Sequence, residues 1–305
     1  MFPQRSPSPA AAVAGDDPRK GAVLRNVVCV QGRLELEGIP DRLVRVTPAR
    51  LGTWSICPRR YRMTYLDRPA PSRGGAWAHS TLGAVVHNAL RALFELPAHR
   101  RTPEQAALLL RQHWKSDGFA GAEQAAEYRR RAEGWLSDYV DRFGDSDTVV
   151  GVERRVSAAT GTIIAEGRVD RIDQRAGELV VVDYKTGRHA LSAEDARDSR
   201  ALALYALAVR GMSHRTCRRV ELHHLPTGRI LAWEHTEESL ARHRSRAEEL
   251  AAELQAATDA LHTGQNADTT FPPRTGRHCS SCDFRQHCPD GRRAAPDIAP
   301  WALLG

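Results

Sequence analysis

Lysine is nearly absent from this 305-residue chain, although the chain is basic. Only Lys20, Lys115 and Lys185 are found among its 44 basic residues, so arginine supplies almost all the positive charge behind a formal net charge of +7. An excess of positive charge favours a polyanionic partner. In an arginine-rich background, a lysine that persists indicates a need for a compact ammonium group, which the planar guanidinium of arginine does not imitate.

Long apolar segments are lacking as well. The longest uninterrupted apolar run, Ala201 to Val209, has nine residues, too few to span a bilayer. Residues 1–22 are rich in proline, alanine and serine, so we expect a disordered leader rather than a signal peptide. The nucleotide-binding pattern Gly-x-x-x-x-Gly-Lys-[Ser/Thr] does not occur, and we therefore expect no ATP-driven motor in this chain. A secreted protein or a membrane partner is not expected.

Cysteine is scarce and unevenly placed. The chain contains six cysteines: Cys29, Cys57, Cys217, Cys279, Cys282 and Cys288. Without a secretory signal, clustered cysteines indicate metal ligands or redox groups rather than disulfides. The last three have the spacing C-x2-C-x5-C, and Cys57, 222 residues before Cys279, is the obvious fourth ligand. Four thiolates without a regular finger suit either an iron–sulfur cluster or Zn²⁺, and His278 or His287 could replace one of them in a zinc site.

Hydrophobic periodicity divides the chain into a helical part and a sheet part. The first half predicts helices from Thr47 to about Leu66 with an interruption at Pro58, over 81–96, from Thr102 onward, and over 121–143. Segments rich in valine and isoleucine then predict strands over 148–157, 161–173, 178–185, 217–224 and 229–235. Two more helices are predicted over 193–210 and 236–262, and a hairpin over 23–45. We expect Cys29 and Cys217, in apolar strand-like contexts, to be buried thiols.

The segment 178–187, with the sequence ELVVVDYKTG, combines a strand pattern with charged residues. Its apolar run predicts a central strand covered on both faces. Because side chains alternate along a strand, Asp183 and Lys185 emerge on one face where the strand ends. The preceding strand carries Asp170, which lies near Asp183 if the two strands pair. Adjacent carboxylates repel each other, and Mg²⁺ or Mn²⁺ would relieve that repulsion; a salt-bridged strand end is the alternative.

Asp170, followed thirteen residues later by Asp183-Tyr184-Lys185-Thr186-Gly187, resembles the core of the PD-(D/E)XK nucleases. More narrowly, the chain is similar to the RecB-like nucleases, a group with AddB-type helicase–nuclease subunits and CRISPR-associated RecB-like exonucleases. Three more segments fit, and together they extend the resemblance over about residues 47–290: GAVVH at 83–87, SICPRRY at 55–61, and the C-terminal cysteine triplet followed by Pro289.

Two positions depart from the family pattern. Val169 stands where the superfamily name has a proline, which is a tolerated variation. Ala201 stands where the family has a glutamine, four residues before Tyr205, and this puts substrate positioning in question but not metal binding. Arg197 or Arg200, one turn away or adjacent, would be the residue to compensate.

The resemblance implies a restriction-endonuclease-like α/β core with a mixed central sheet flanked by helices. His87, Asp170, Asp183 and the main-chain carbonyl of Tyr184 would hold Mg²⁺ or Mn²⁺. Asp170, Asp183 and Lys185 would be catalytic, with Lys185 positioning or polarising the attacking water. Glu153, on the strand before Asp170, is as consistent with a solvated strand residue as with a water-mediated metal contact.

For the cysteines, the resemblance implies a [4Fe–4S] cluster held by Cys57, Cys279, Cys282 and Cys288, with Zn²⁺ as the alternative. Such a group would close the C-terminal segment onto the N-terminal helices. Tyr205, Arg59 and Arg60 would then contact the substrate, and Trp54, Tyr61 and Phe284 would be near enough to stack on unpaired bases. A solvated arginine surface is the alternative for each arginine taken singly.

The predicted organisation is a leader over 1–22, a nuclease domain over 23–290 and a tail over 291–305. Within the domain, the helical part covers about 47–145, the nuclease core about 147–262 and the cysteine-rich segment about 264–290. We expect a cytoplasmic, nucleoid-associated exonuclease that acts on single-stranded DNA ends; the resemblance implies 5′-phosphate products and a role in DNA repair, recombination or the processing of foreign DNA. Its expected partners are DNA with single-stranded or duplex ends and a separate helicase subunit. The alternative is a non-catalytic iron–sulfur DNA clamp or accessory subunit.

Overall fold

The structure is a computed structural model that describes residues 43–144, 148–189 and 191–304. The predicted leader over 1–22, nearly all of the predicted hairpin over 23–45, and Cys29 lie outside the described residues.

The first part of the described chain is helical, after a short strand. Its elements are β1 (Val44–Val46), α1 (Pro48–Ile56), α2 (Pro58–Tyr65), α3 (Ala78–Phe94), α4 (Pro103–His113) and α5 (Ala122–Phe143). Thr47 and Thr102 accept hydrogen bonds from the first turns of α1 and α4, each followed by a proline at the first helical position. The predicted interruption at Pro58 is confirmed: Cys57, in an extended conformation, separates α1 from α2.

The second part contains the remaining strands and the long C-terminal helix. The strands are β2 (Val149–Thr160), β3 (Ile163–Arg175), β4 (Glu178–Lys185), β5 (Arg219–His224) and β6 (Arg229–Glu234). The helices are α6 (Ala193–Asp198), α7 (Arg200–Ser213), α8 (Glu237–His262), α9 (Ala267–Thr270) and α10 (Pro289–Ala294). The single helix predicted over 193–210 is two helices, because Ser199 leaves helical geometry and its hydroxyl caps α7. Within the described chain, no helix is both long and apolar enough to cross a membrane.

The six strands form one mixed sheet in the order β1-β3-β4-β5-β6, with β2 paired to β3. The β3–β4 and β5–β6 pairs are antiparallel, and the β4–β5 pair is parallel. β2 pairs with β3 along nearly its whole length, so β1 and β4 share the other edge of β3: β1 meets Ile163–Ala165 and β4 meets Arg171–Arg175. This mixed sheet flanked by helices is the predicted restriction-endonuclease-like architecture.

Helices cover both faces of β4, as the apolar run of that strand predicts. Val180, Val182 and Tyr184 pack into the core formed with α3, α4 and α5. Leu179 and Val181 pack into the opposite core, formed with α1, α7 and α8. The alternation of side chains therefore sends odd-numbered β4 residues toward α7 and even-numbered residues toward α3. The end of β4 consequently lies between two helical layers.

Candidate active site

The candidate site lies where β3 and β4 part. Their pairing begins at Arg171 opposite Val182, and continuing this register by one step would place Asp170 opposite Asp183. β4 instead stays with β5 through Lys185, while β3 leaves it. Asp170 fills the opening, and its Oδ2 accepts a hydrogen bond of 3.0 Å from the backbone N–H of Tyr184.

The strand pattern changes at Asp170. Val169 packs in the core on the α7 side, but Arg171, two residues later, stacks on Phe94 in the core on the α3 side. The β2–β3 register places Glu153 opposite Asp170, and Glu153 has a φ of 45°, which non-glycine residues rarely adopt. Irregular strands and strained backbone concentrate near functional sites, where they redirect side chains.

Three ligand atoms meet at this irregularity. One atom from each of His87, Glu153 and Asp170 lies within 4.8 Å of the other two, and all three residues are partly buried. α3 brings His87 from the other helical layer, so that the group joins three separate elements. Glu153 also forms an ion pair of 3.2 Å with Arg168. Glu153 is the member that sequence reasoning left undecided; its position directly opposite Asp170 on the neighbouring strand was the available signal.

The two ring nitrogens of His87 face different partners. Nε2 is 3.1 Å from the Tyr184 carbonyl oxygen and Nδ1 is 3.4 Å from Asp170 Oδ2. Because a carbonyl only accepts, Nε2 is assigned as the donor, which leaves Nδ1 and the carboxylate facing each other. Burial disfavours a charged ring, but the hydrogen bond and charge of Asp170 outweigh it and raise the pKa of His87. A proton or a metal cation stabilises this contact.

Asp183 and Lys185 form an ion pair beside this group. Lys185 Nζ lies 2.5 Å from Asp183 Oδ2. Burial raises the pKa of Asp183, which the charge of Lys185 opposes and the charge of Asp170 reinforces. Burial alone would lower the pKa of Lys185, but Asp183 and Asp170 raise it above its ordinary value, so the side chain is an ammonium at neutral pH. Asp183 is thus close enough to feel Asp170, although it is not among the three residues whose ligand atoms converge.

Tyr205, on α7, lies against β3 on the face of the sheet opposite to His87 and α3. Burial, and then the charges of Asp183 and Asp170, raise the pKa of Tyr205 to about 12, so the phenol is neutral. Its ring lies so close to Gly167 that a Cβ there would be 2.6 Å from Cε1 and 3.2 Å from the hydroxyl oxygen. Gly167 therefore permits the position that Tyr205 takes next to the two carboxylates.

We expect Gly167→Ala to destabilise the protein and to displace Tyr205. A methyl group at 2.6 Å from a ring carbon forces one of them to move, and such overpacking costs about 1–3 kcal/mol. The free energy of unfolding in urea measures this loss. Gly151→Ala is the control, since its Cβ would meet nothing closer than 3.4 Å. If the clash is with Tyr205, the double variant Gly167→Ala/Tyr205→Ala loses less than the sum of the two single variants; additive losses would contradict this contact.

The two arginines predicted to compensate for Ala201 bind other partners. Arg197 pairs with Asp198 and stacks over Trp233, and Arg200 donates a hydrogen bond of 3.3 Å to the hydroxyl of Ser55. Neither contact is with the carboxylates of the site. Compensation for Ala201 by either arginine remains a prediction.

The four cysteines of the predicted metal set line one cavity. Cys57 enters it from the break between α1 and α2, while Cys279, Cys282 and Cys288 enter from the C-terminal segment. All four are free thiols. A Cβ on Gly291 would lie 3.5 Å from Sγ of Cys288 and 3.6 Å from Sγ of Cys279, so glycine keeps this cavity open between two thiols.

Arg59 and Arg60, predicted to bind substrate, lie next to this cavity. Arg59 pairs with Asp290 at 2.7 Å, and its Nη1 is 3.9 Å from Sγ of Cys288. Arg60 pairs with Asp283 at 3.4 Å. A nucleic-acid phosphate would have to displace these carboxylates, and contact with substrate remains a prediction for both arginines.

The aromatic residues expected to stack on bases near the cysteines are not available to do so. Trp54, Tyr61 and Phe284 are only 5%, 2% and 2% exposed. Trp54 makes edge contacts with the rings of Tyr61 and Phe271 inside the core. This expectation is wrong because all three rings are used in packing: Trp54 and Tyr61 lie in the core with α7 and α8, and Phe284 is buried in the cysteine-rich segment.

The central strands of this mixed sheet separate at a pair of carboxylates, and a lysine follows two residues farther on. This arrangement defines a restriction-endonuclease-like fold with a candidate metal site. The profile of the PD-(D/E)XK nuclease superfamily matches residues 45–289, and the chain belongs to that superfamily.

No curated protein matches the chain. Among solved structures, a candidate exonuclease from Eubacterium rectale is similar, with 12% identity over 79% of this chain and 86% of that one and a TM-score of 0.45. The protein SSO0001 is similar with 15% identity over 84% and 90% of the two chains and a TM-score of 0.33.

Proposed function

We propose that this protein is a metal-dependent deoxyribonuclease of the RecB-like type that removes nucleotides from single-stranded DNA ends. The observation that carries the proposal is the meeting of His87, Glu153 and Asp170 within 4.8 Å, beside the Asp183–Lys185 ion pair. The superfamily supports hydrolysis of phosphodiester bonds in general. The net charge of +7 supports a polyanionic substrate.

The residues at the strand fork suit a hard divalent cation. Carboxylate oxygens of Asp170, Asp183 and Glu153, with one nitrogen of His87, form the oxygen-rich set that Mg²⁺ and Mn²⁺ prefer. The lone pairs of His87 Nδ1 and Asp170 Oδ2 that face each other support a cation between them. When bound, the metal would act as a Lewis acid on the scissile phosphodiester.

The protein's own groups divide the remaining work. Lys185, 45% exposed, presents its ammonium to solvent beside Asp183, where it can donate a hydrogen bond to the attacking water or to a phosphate oxygen. His87 donates a hydrogen bond from Nε2 to the Tyr184 carbonyl, and this turns its Nδ1 toward Asp170, where a cation would lie between the two. The backbone N–H of Tyr184 holds Asp170 from the other side. Tyr205 shields the carboxylates on the α7 side.

We assign an iron–sulfur cluster, [4Fe–4S], to the cavity of the four cysteines. Arg59, close to Cys288, and Arg60, whose charge favours the thiolate of Cys282, offset the negative charge of bound thiolates. Linking Cys57 to the C-terminal segment would stabilise the fold, since the site joins parts of the chain that are distant in sequence. The cluster would then have a structural role.

The same four thiols also suit Zn²⁺, which remains the alternative to the cluster. Iron and zinc analysis of the purified protein distinguishes the two.

A second candidate function is a non-catalytic DNA clamp or an accessory subunit of a helicase–nuclease complex. Ala201 supports it, because the residue that normally positions substrate four residues before Tyr205 is missing. The intact set of Asp170, Asp183 and Lys185 argues against it. Assays of the purified chain distinguish these two functions.

We expect the protein, purified anaerobically, to degrade end-labelled single-stranded DNA in Mn²⁺, and chelation of the metal to stop the reaction. Asp170→Asn is expected to lower the rate at least about 100-fold, because it removes a charged ligand at the strand fork. Asp138→Asn, at an exposed position on α5, serves as the matched control and keeps the rate. Circular single-stranded DNA stays intact if the enzyme needs an end.

Two results would contradict the proposal. Equal activity of wild type and Asp170→Asn would place the hydrolysis elsewhere, and binding of DNA without hydrolysis in any divalent metal would support the clamp. Rapid cutting of the circle would retain the nuclease and reject its requirement for ends.

A further inference from the structure

An open cleft of about 400 Å³ adjoins the candidate active site. Its lining includes Thr186, Gly187 and Arg188, which directly follow Lys185, and Tyr128, Arg131 and Trp135 from α5. We propose that this cleft binds an unpaired nucleobase of the DNA strand, next to the phosphate that is cut. The inference rests on the proposed nuclease function and adds to it the recognition of a single-stranded substrate.

The position of the cleft links it to the site. A Cβ on Gly83 would lie 3.4 Å from the hydroxyl of Thr186, so α3 contacts the segment that follows β4. His87 is one helical turn farther along α3, about 5–6 Å away. A strand whose phosphate lies at the carboxylates can therefore place a neighbouring nucleotide in the cleft.

The charge of the cleft suits a nucleotide. Arg131 and Arg188 are both exposed at its border, and none of its described lining residues carries a carboxylate, although Glu127 of α5 pairs with Arg131 from outside the lining. This differs from the neighbouring cleft at the cysteine segment, which contains Asp283 and Asp297. A phosphate at Arg131 would share that guanidinium with Glu127, whereas Arg188 offers a second positive charge, and together they attract the phosphates on either side of a bound base.

The walls of the cleft suit a base. Tyr128, Arg131 and Trp135 follow one another at i, i+3 and i+7, and so lie on one face of α5. Tyr128 is buried, and the Arg131 guanidinium lies 4.9 Å from its ring centre. Trp135 is only partly buried and leaves part of its indole at the cleft. The Trp135 indole lies beside an apolar floor that includes Leu82 and Leu304. Any of the four bases can stack on such a surface.

Base stacking requires a base that is free of its own neighbours. In a duplex, pairing and stacking hold each base inside the helix, and exposing it costs a few kcal/mol. A single strand presents its bases at little cost, so the cleft favours single-stranded over double-stranded ends.

The test measures binding of fluorescein-labelled oligodeoxythymidylate, about 12 nucleotides long, without divalent metal, so that no strand is cut. We expect Trp135→Ala to weaken binding about tenfold, within the range for loss of one stacked base. Arg131→Ala and Arg188→Ala should each lower the slope of log Kd against log salt by about 0.7, the value for one lost phosphate contact on a single strand. Arg111→Ala is the matched control, because Arg111 is as exposed as Arg131 (49% and 50%) and also pairs with a glutamate, but lies outside the cleft.

A set of oligonucleotides with one abasic site at successive positions separates stacking from folding. In the wild type, one position near the end should bind more weakly when its base is removed. Trp135→Ala should bind that oligonucleotide and the intact one equally. If no position is sensitive, or if the same position is sensitive in Trp135→Ala, the inference is overturned; if Trp135→Ala does not fold, unchanged salt slopes for Arg131→Ala and Arg188→Ala overturn it.

Failure of the inference is distinguishable from failure of the proposed function. A wild type that degrades single-stranded DNA, with binding unaffected by Trp135→Ala, keeps the nuclease and rejects the cleft. Position-specific binding without any hydrolysis keeps the cleft and supports the clamp function instead.

Discussion

Lys185→Ala is expected to lower the nuclease activity about 10²–10³-fold, the range for removal of one preorganised donor at a site of developing charge. The ammonium of Lys185 lies 2.5 Å from Asp183 and has a raised pKa, so it is charged throughout the neutral range. Lys185→Arg should recover little activity, because a planar guanidinium cannot take the place of a compact ammonium. The measurement is the rate of nucleotide release from end-labelled single-stranded DNA in Mn²⁺.

Lys115→Ala is the natural control for this experiment. Lys115 is one of only three lysines, is exposed, and lies outside the candidate site. We expect it to leave the rate unchanged. DNA binding should survive in Lys185→Ala, since many arginines contribute to the net charge. Full activity of Lys185→Ala would remove the central element of the proposed mechanism.

Cys57→Ala is expected to remove the iron and to lower the melting temperature by about 10–20 °C. A cross-link between Cys57 and Cys279 restricts a loop of 222 residues, which is worth about 5 kcal/mol in the chain-entropy description. For a protein of this size, each kcal/mol corresponds to about 2–4 °C. Iron content, the brown absorption of the anaerobically purified protein, and thermal unfolding measure the effect together.

Cys217→Ala provides the control for the loss of a buried thiol. Cys217 is fully buried in the core on the α7 side, where burial raises the pKa of its thiol to about 12, and it lies outside the cavity of the four cysteines. We expect this variant to keep its iron and to lose only the stability of one small packing contact. Stoichiometric zinc without iron in the wild type would reject the cluster and favour the zinc alternative.

Local sequence patterns predicted most of the elements that carry the candidate site. The apolar run that ends in Asp183 and Lys185 identified β4 with its observed bounds, because a strand covered on both faces needs apolar residues at successive positions. Pro58 predicted the break that presents Cys57. The helix break at Ser199 was missed because its neighbours favour helix and its cap forms only through the hydroxyl contact.

Other features depend on contacts between residues that are distant in sequence. Glu153 reaches Asp170 only because β2 pairs with β3 in one register and its backbone turns at that position. Trp54, Tyr61 and Phe284 have the composition of a base-stacking surface, but packing buries all three. Trp135 gave no signal in the sequence, since a tryptophan on an amphipathic helix is usually part of the core.

By itself, the sequence determined the order of helices and strands and the motif that joins Asp170, Asp183 and Lys185. It also identified Lys185 as a lysine kept in an arginine-rich chain. Each of these depends on local spacing and composition. Only the tertiary structure decided that β3 leaves β4 at Asp170, that His87 and Glu153 meet there, and that a cleft with Trp135 at its wall opens beside Lys185. Those arrangements arise from strand register and from the packing of two helical layers on one sheet, which bring together residues that no local pattern connects.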